Sequence, residues 1–126
     1  MQKGTEINSY RDLFVWQKAM DLMVICYKLV EKLPPHEKYG LVSEIRRSAM
    51  HVPAHIADGK GREYLNEYLQ KLSAAHGSLM YLETNLQAID RLQYLPMEEI
   101  TPALNLSAEV GKMLQKLIGR LRGDRS

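Results

Sequence analysis

Cysteine is nearly absent: Cys26 stands alone among 126 residues, so neither an internal disulfide nor a cysteine-based zinc site can form. Aromatic side chains are few, with one tryptophan and one phenylalanine, and no large aromatic platform for stacking bases stands out. Long apolar runs are missing as well. Leu22–Tyr27 spans six residues, against the roughly 20 needed to cross a bilayer. The first residues, Met1 to Glu6, are polar and lack the apolar core of a secretory signal. There is no Gly-rich phosphate loop, nucleophile elbow or zincin motif. No glutamate has a histidine three residues downstream, which excludes the di-iron bundle enzymes that need inward-facing Glu-x-x-His pairs.

What is present is ordinary for a globular chain: 45% hydrophobic and 25% charged residues, which fits neither disorder nor a fibrous repeat. The length suits one domain over residues 1–126, with flexible ends expected at about 1–9 and 122–126. The expected class is a soluble, cytoplasmic, non-enzymatic protein that needs no cofactor. Net charge is +2, but it is unevenly spread. Residues 63–111 carry two basic and seven acidic side chains, whereas Lys112 onward carries five basic against Asp124. Such segments attract each other within or between subunits, or the basic one meets a polyanion.

Helical spacing recurs four times and strand alternation is nowhere clean. The first helix is expected from about Leu13 to Leu33, with Trp16, Ala19, Met23, Cys26, Val30 and Leu33 inward. Ser9 and Asp12 resemble a capping box before it, and Pro34-Pro35 stops it. The second, from near Tyr39-Gly40-Leu41 to around Gly59-Lys60-Gly61, has Leu41, Ile45, Ala49, Val52 and Ile56 as its apolar stripe, with a kink expected near Pro53. The third, about Glu63 to Gln93, runs Leu65, Tyr68, Leu72, Ala75, Leu79, Leu82, Leu86 and Ile89. Gly77 within it suggests a close helix–helix approach. The fourth, roughly Met97 to Leu121, presents Ile100, Leu104, Ser107, Gly111, Leu114, Ile118 and Leu121, with Gly123 just beyond its end. Short loops between such helices give an all-α, left-handed antiparallel up-and-down four-helix bundle. A bundle so slim leaves Phe14, Tyr27, Met50 and Met80 off the seams, which predicts a homo-oligomer.

Three groups of residues carry candidate chemistry. Lys112, Lys116 and Arg120 align at i, i+4, i+8, with Arg122 and Arg125 following. Arg46, Arg47, Lys60 and Arg62 belong to the second helix and its turn. Clustered cations neutralise consecutive phosphates, and Tyr64 and Tyr68 beside Arg62 add candidate stacking. The same residues read equally as solvated faces. Third, Glu44, Arg47, His51, His55 and Asp58 share one stripe. His51, His55 and Asp58 make a remote metal alternative, or a proton-sensitive contact, against a plain polar face. Cys26, on the seam, reads as a packed small hydrophobe.

Several segments together resemble one family. They are Asp12-Leu13-x-Val15-Trp16-Gln17-Lys18-Ala19, Leu33-Pro34-Pro35-x-Glu37-x-Tyr39-Gly40-Leu41 and Ile45-Arg46-Arg47-Ser48-Ala49. Val52-Pro53-x-x-Ile56-Ala57-Asp58-Gly59-x-Gly61-Arg62 and Gly77-Ser78-x-x-x-Leu82-Glu83-Thr84 complete the set. The chain resembles, from about Tyr10 to Leu121, the small bacterial proteins named for the intervening sequences of 23S ribosomal RNA genes. The resemblance implies a left-handed bundle assembling into a homopentamer without catalytic activity. It also implies kinship with the accessory variability proteins of diversity-generating retroelements, which engage a reverse transcriptase and nucleic acid. By position, Arg46, Arg47, Asp58, Arg62 and Glu83 match family segments. His51, His55 and Tyr81 depart from the usual serine, asparagine and glutamate. The expected function is an oligomeric scaffold binding RNA or DNA through basic helix faces, the alternative an adaptor recruiting a protein such as a reverse transcriptase.

Overall fold

Four helices carry the apolar stripes: α1 Phe14–Val30, α2 Leu41–Lys60, α3 Leu65–Arg91 and α4 Met97–Leu121. The structure is a computed structural model and describes residues 9–123; Arg125 and most of both expected flexible ends lie outside them. No strand occurs among the described residues.

The Ser9–Asp12 box forms, with Ser9 Oγ accepting from the Arg11 N–H at 3.1 Å and Asp12 Oδ2 from the Ser9 N–H at 3.2 Å. It caps a 3₁₀ turn at Tyr10–Asp12, and α1 starts after it. α1 also ends at Val30, short of the expected Leu33, and the chain passes Pro34 in extended conformation. It buries Val15, Ala19, Leu22, Cys26, Leu29 and Val30, with Leu33 buried just past its end. Ala19, Cys26, Val30 and Leu33 therefore lie inward as expected, while Val15 and Leu22 take the places expected for Trp16 and Met23. Trp16 and Met23 are partly buried.

α2 continues through Pro53, which is itself buried. α3 buries Leu72, Ala75, Leu79, Leu82, Leu86 and Ile89 as expected, but Leu65 at its start is 51% exposed. Gly77 is corrected: a Cβ there would meet nothing within 4 Å. The close approach lies instead at Gly59, where a Cβ would stand 2.9 Å from Lys71 Cβ and 3.0 Å from Tyr68 Cδ1. α4 matches its expected bounds, and Gly123 follows it at φ +70°. α3 ends differently, on Gln93 at φ 60°, with Tyr94 N–H bonded to Ile89 O and Gln93 N–H to Asp90 O. That pairing closes a Schellman cap without glycine.

Each helix packs on its two neighbours in the order α1, α2, α3, α4 and back to α1, and among the described residues the backbones of diagonal pairs do not approach closely. Directions follow from cross-helix partners. Lys18 pairs with Glu109, and Lys32, just past the end of α1, with Glu99, so rising numbers along α1 meet falling numbers on α4. Tyr81 meets Glu44 and Lys71 meets Asp58, while Glu83 meets Ser107 and Leu79 lies against Gly111, so α2–α3 and α3–α4 are antiparallel too. The core is aliphatic, and each fully buried leucine contributes about 1.5–3 kcal/mol. Two buried hydroxyls are satisfied: Ser107 donates to Glu83 at 2.6 Å, and Ser48 to the Glu44 carbonyl at 2.8 Å. The loops after α1 and α3 meet at one end, where Tyr94 donates to Glu37 at 2.7 Å. The start of α1, the α2–α3 turn and the end of α4 therefore share the other end.

Candidate functional site

One groove runs between α2 and α3. Glu44 is its hub, accepting from Tyr81 Oη and from Arg47, each at 2.6 Å. The Tyr81 hydrogen bond and then the Arg47 bond hold the Glu44 carboxyl below its ordinary value. One turn on, His51 and His55 meet edge-to-face at 5.5 Å between ring centroids. Burial first, then His51 and Lys71, press the His55 imidazole below its ordinary value, with Asp58 pulling the other way. Asp58 accepts from Arg62 Nε at 3.0 Å and pairs with Lys71 at 3.1 Å. Both bonds, Arg62 first, lower its carboxyl. Arg62 also stands 3.8 Å from Glu67.

These partners bear on two groups of candidates. Asp58 is engaged by two cations, and no group of three or more His, Cys, Asp or Glu side chains among the described residues, His51 and His55 included, is placed to hold a metal ion. Arg47 and Arg62, grouped with the phosphate-binding candidates, are each bonded to carboxylates of α2, Arg47 from within the helix and Arg62 from the turn after it. Arg46 lies apart, with its guanidinium 5.6 Å from the Tyr27 ring centroid.

The remaining cations converge at the end shared by the start of α1, the α2–α3 turn and the end of α4. Here a cavity of about 610 Å³ is lined by Lys60 of α2 and by Lys116 and Arg120 of α4. Its walls are apolar, from Leu13 and Phe14, Tyr68 and Met113, and Leu117 and Leu121. Asp12 also borders it and accepts from the Ser9 backbone. The absence of a side chain on Gly59 lets Tyr68 press against α2 beside Lys60. Lys116 and Met113 are shared with a shallower depression holding Lys112 and His76 between α3 and α4. Arg122 caps α4 nearby. Lys60, Lys112, Lys116, Arg120 and Arg122 make no ion pair among the described residues.

Two features escaped the sequence reading. Phe14 is 74% exposed at the cationic cavity, where its position off the seam was the one available signal. Tyr81 pairs with Glu44 across helices, which no spacing rule connects. Tyr64, a stacking candidate, is exposed at the start of α3, while Tyr68 is half-buried in the cavity wall. Cys26 is fully buried, and burial pushes its thiol up to about 12, the environment of an inert packing residue.

Comparison with known proteins adds two findings. Residues 11–116 match the family described as 23S rRNA-intervening sequence protein. The fold is similar to a crystal structure of a protein of unknown function from the S23 ribosomal protein family of Bacteroides thetaiotaomicron, with TM-score 0.74 and 22% identity over 82% of this chain and 97% of that one. No curated protein matches the chain.

Proposed function

The chain belongs to the 23S rRNA-intervening sequence protein family, and from that premise we propose that it is a non-enzymatic, homo-oligomeric scaffold that binds nucleic acid. The observation that supports this is the division among its cations. Arg47 and Arg62 are bonded to carboxylates, whereas Lys60, Lys116 and Arg120 from two helices converge on one cavity without an ion pair among the described residues. Unpaired cations close together are the ones that release counterions on meeting phosphates. Each protomer offers few of them, so assembly, with a pentamer as the expected form, raises avidity by effective concentration.

The test is a titration of labelled RNA and DNA between about 50 and 200 mM salt, where such contacts lose most affinity. Wild type is compared with a variant carrying Lys112→Gln, Lys116→Gln and Arg120→Gln. Salt-sensitive binding by wild type that the triple variant loses supports the reading. No binding of either polymer at the low-salt end overturns it. Light scattering reads the assembly in the same samples, and a mass near 14.5 kDa at micromolar concentration overturns the oligomer.

A second reading rests on the opposite end of the bundle. Tyr39, Leu92 and Met97 are exposed in or beside the two loops that meet there, an apolar surface that suits a protein partner. In that reading the scaffold recruits a protein such as a reverse transcriptase with one end and holds nucleic acid with the other.

A further inference from the structure

The cavity at the cationic end combines two chemistries that duplex binding does not use together. A duplex presents phosphates and keeps its bases stacked inside, so it is served by cations alone. A single strand presents phosphates and the faces of unpaired bases, and proteins that bind it pair a cationic track with aromatic surfaces. Lys60, Lys116 and Arg120 supply the first here. Phe14 supplies the second: it opens α1, is 74% exposed, and faces the same cavity as the half-buried Tyr68. The cavity, about 610 Å³, falls within the roughly 300–1,000 Å³ of pockets that enclose ligands. Its apolar walls would gain nothing from a phosphate, and its three cations would gain nothing from a neutral apolar guest.

We infer that this cavity is a single-strand site, in which an unpaired base enters between Phe14 and Tyr68 while Lys60, Lys116 and Arg120 hold the flanking phosphates. The inference rests on the nucleic-acid reading above and narrows it to single strands or frayed ends. It also gives each protomer one base-holding point, so a ring of protomers engages a strand at spaced intervals. Recognition of the base is by its face, which every base has, so sequence preference is slight.

The experiment compares a labelled single-stranded oligonucleotide of about 12 nucleotides, a length within known single-strand site sizes, with its blunt duplex, at one low salt concentration. Proteins are wild type, Phe14→Ala, Phe14→Trp and Lys116→Gln/Arg120→Gln. Phe14 is exposed, so its removal spares the core, and thermal melting verifies that. The expected result is that Phe14→Ala weakens single-strand binding about fivefold or more, the lower range of one stacked base, with duplex binding unchanged. Phe14→Trp restores single-strand affinity, and the double glutamine variant weakens both polymers. If Phe14→Ala leaves single-strand affinity unchanged or lowers both polymers equally, the single-strand site is overturned while the scaffold reading stands. If wild type binds neither polymer, the scaffold reading itself falls. If Phe14→Ala changes the mass of the assembly, or dodecanoate occupies the cavity in preference to the oligonucleotide, the occupant is a neighbouring copy or an acyl carboxylate, and the inference is overturned.

Discussion

The Tyr81 hydroxyl donates a 2.6 Å hydrogen bond to Oε1 of Glu44 across the α2–α3 groove, while Arg47 holds the other carboxylate oxygen. Three residues from two helices thereby share one charge. A glutamate at position 81 would set two carboxylates side by side, whereas the tyrosine hydroxyl makes a bonded pair.

That bond predicts an acid-dependent stability. The Glu44 carboxyl lies below its reference value of 4.5, chiefly through Tyr81. Such a group adds stability that is complete above the unfolded value and is lost as pH falls through the folded one. Tyr81→Phe keeps the ring and removes the donor. It should melt below wild type at pH 7, and the gap should close as pH is lowered past 4.5. A gap of equal size at pH 7 and at pH 3 would sink the assignment, since ring packing alone does not titrate.

His55 gives a second titration with the same sign. Its imidazole lies below 6.5, through burial first and then His51 and Lys71. As pH falls through 6.5 the unfolded chain takes the proton before the folded one, so stability declines from there downward. His55→Gln should flatten the stability profile between about pH 7 and 5. Lys71→Gln, by removing one neighbouring cation, should raise the His55 value toward normal in an NMR titration. An unmoved value would show that Lys71 does not act on the ring.

Two glycines should respond oppositely to alanine. At Gly59 a Cβ would stand 2.9 Å from Lys71 Cβ and 3.2 Å from the Tyr68 carbonyl, and backbone cannot turn aside. Overpacking costs about 1–3 kcal/mol, partly offset by the roughly 1 kcal/mol that alanine gains in a helix. Gly59→Ala should therefore lower stability and disturb the cavity wall at Tyr68. At Gly77 nothing lies within 4 Å, so Gly77→Ala should raise stability by about 0.8–1 kcal/mol. Denaturant midpoints measure both, and equal signs would refute the contrast.

Gln93 occupies the left-handed region that ends α3, at φ 60°. An L-residue there carries a penalty of roughly 1–2 kcal/mol, against about 0.5–1 kcal/mol of extra chain entropy for glycine. Gln93→Gly should thus raise the melting temperature by a few degrees, and Gln93→Val should lower it. The polar side chain gave no hint of this cap, because glycine is the usual marker and the sequence places none within the turn.

Periodicity located the helices because burial on a four-helix core demands a 3–4 spacing, and α4 was legible to the residue at both ends. It failed only in part where many neighbours are apolar: around Leu22–Tyr27 every helical phase looks hydrophobic, so Trp16 and Met23 were read in place of Val15 and Leu22, while Ala19, Cys26, Val30 and Leu33 are buried as expected. Gly77 misled for a different reason, since a missing side chain marks a close approach only if another helix lies opposite. The site was half legible. The Lys112, Lys116, Arg120 alignment is a local pattern. The arrival of Lys60 and Phe14 beside it is tertiary, bringing together three helices far apart in sequence. The neutralisation of Arg62 is local in part, since Asp58 lies one turn before it, yet a tally of basic residues counts both arginines at full value.

The distinction between paired and unpaired cations yields the last prediction. The slope of log affinity against log salt counts released counterions, about −0.9 per phosphate contact on duplex and about −0.7 on single strands. Lys116 and Arg120 make no ion pair among the described residues, so Lys116→Gln and Arg120→Gln should each flatten the slope by about one contact. Arg47 and Arg62 are already held by Glu44 and Asp58 at 2.6 and 3.0 Å. A phosphate would have to displace those carboxylates, and an exposed ion pair exchanged for another gains little. Arg47→Gln and Arg62→Gln should therefore leave the slope nearly unchanged, although each removes the same formal charge. Equal flattening by all four substitutions would mean that net charge governs binding and that the arrangement at the bundle end does not. A larger effect from Arg47 and Arg62 would move the interface to the α2–α3 groove.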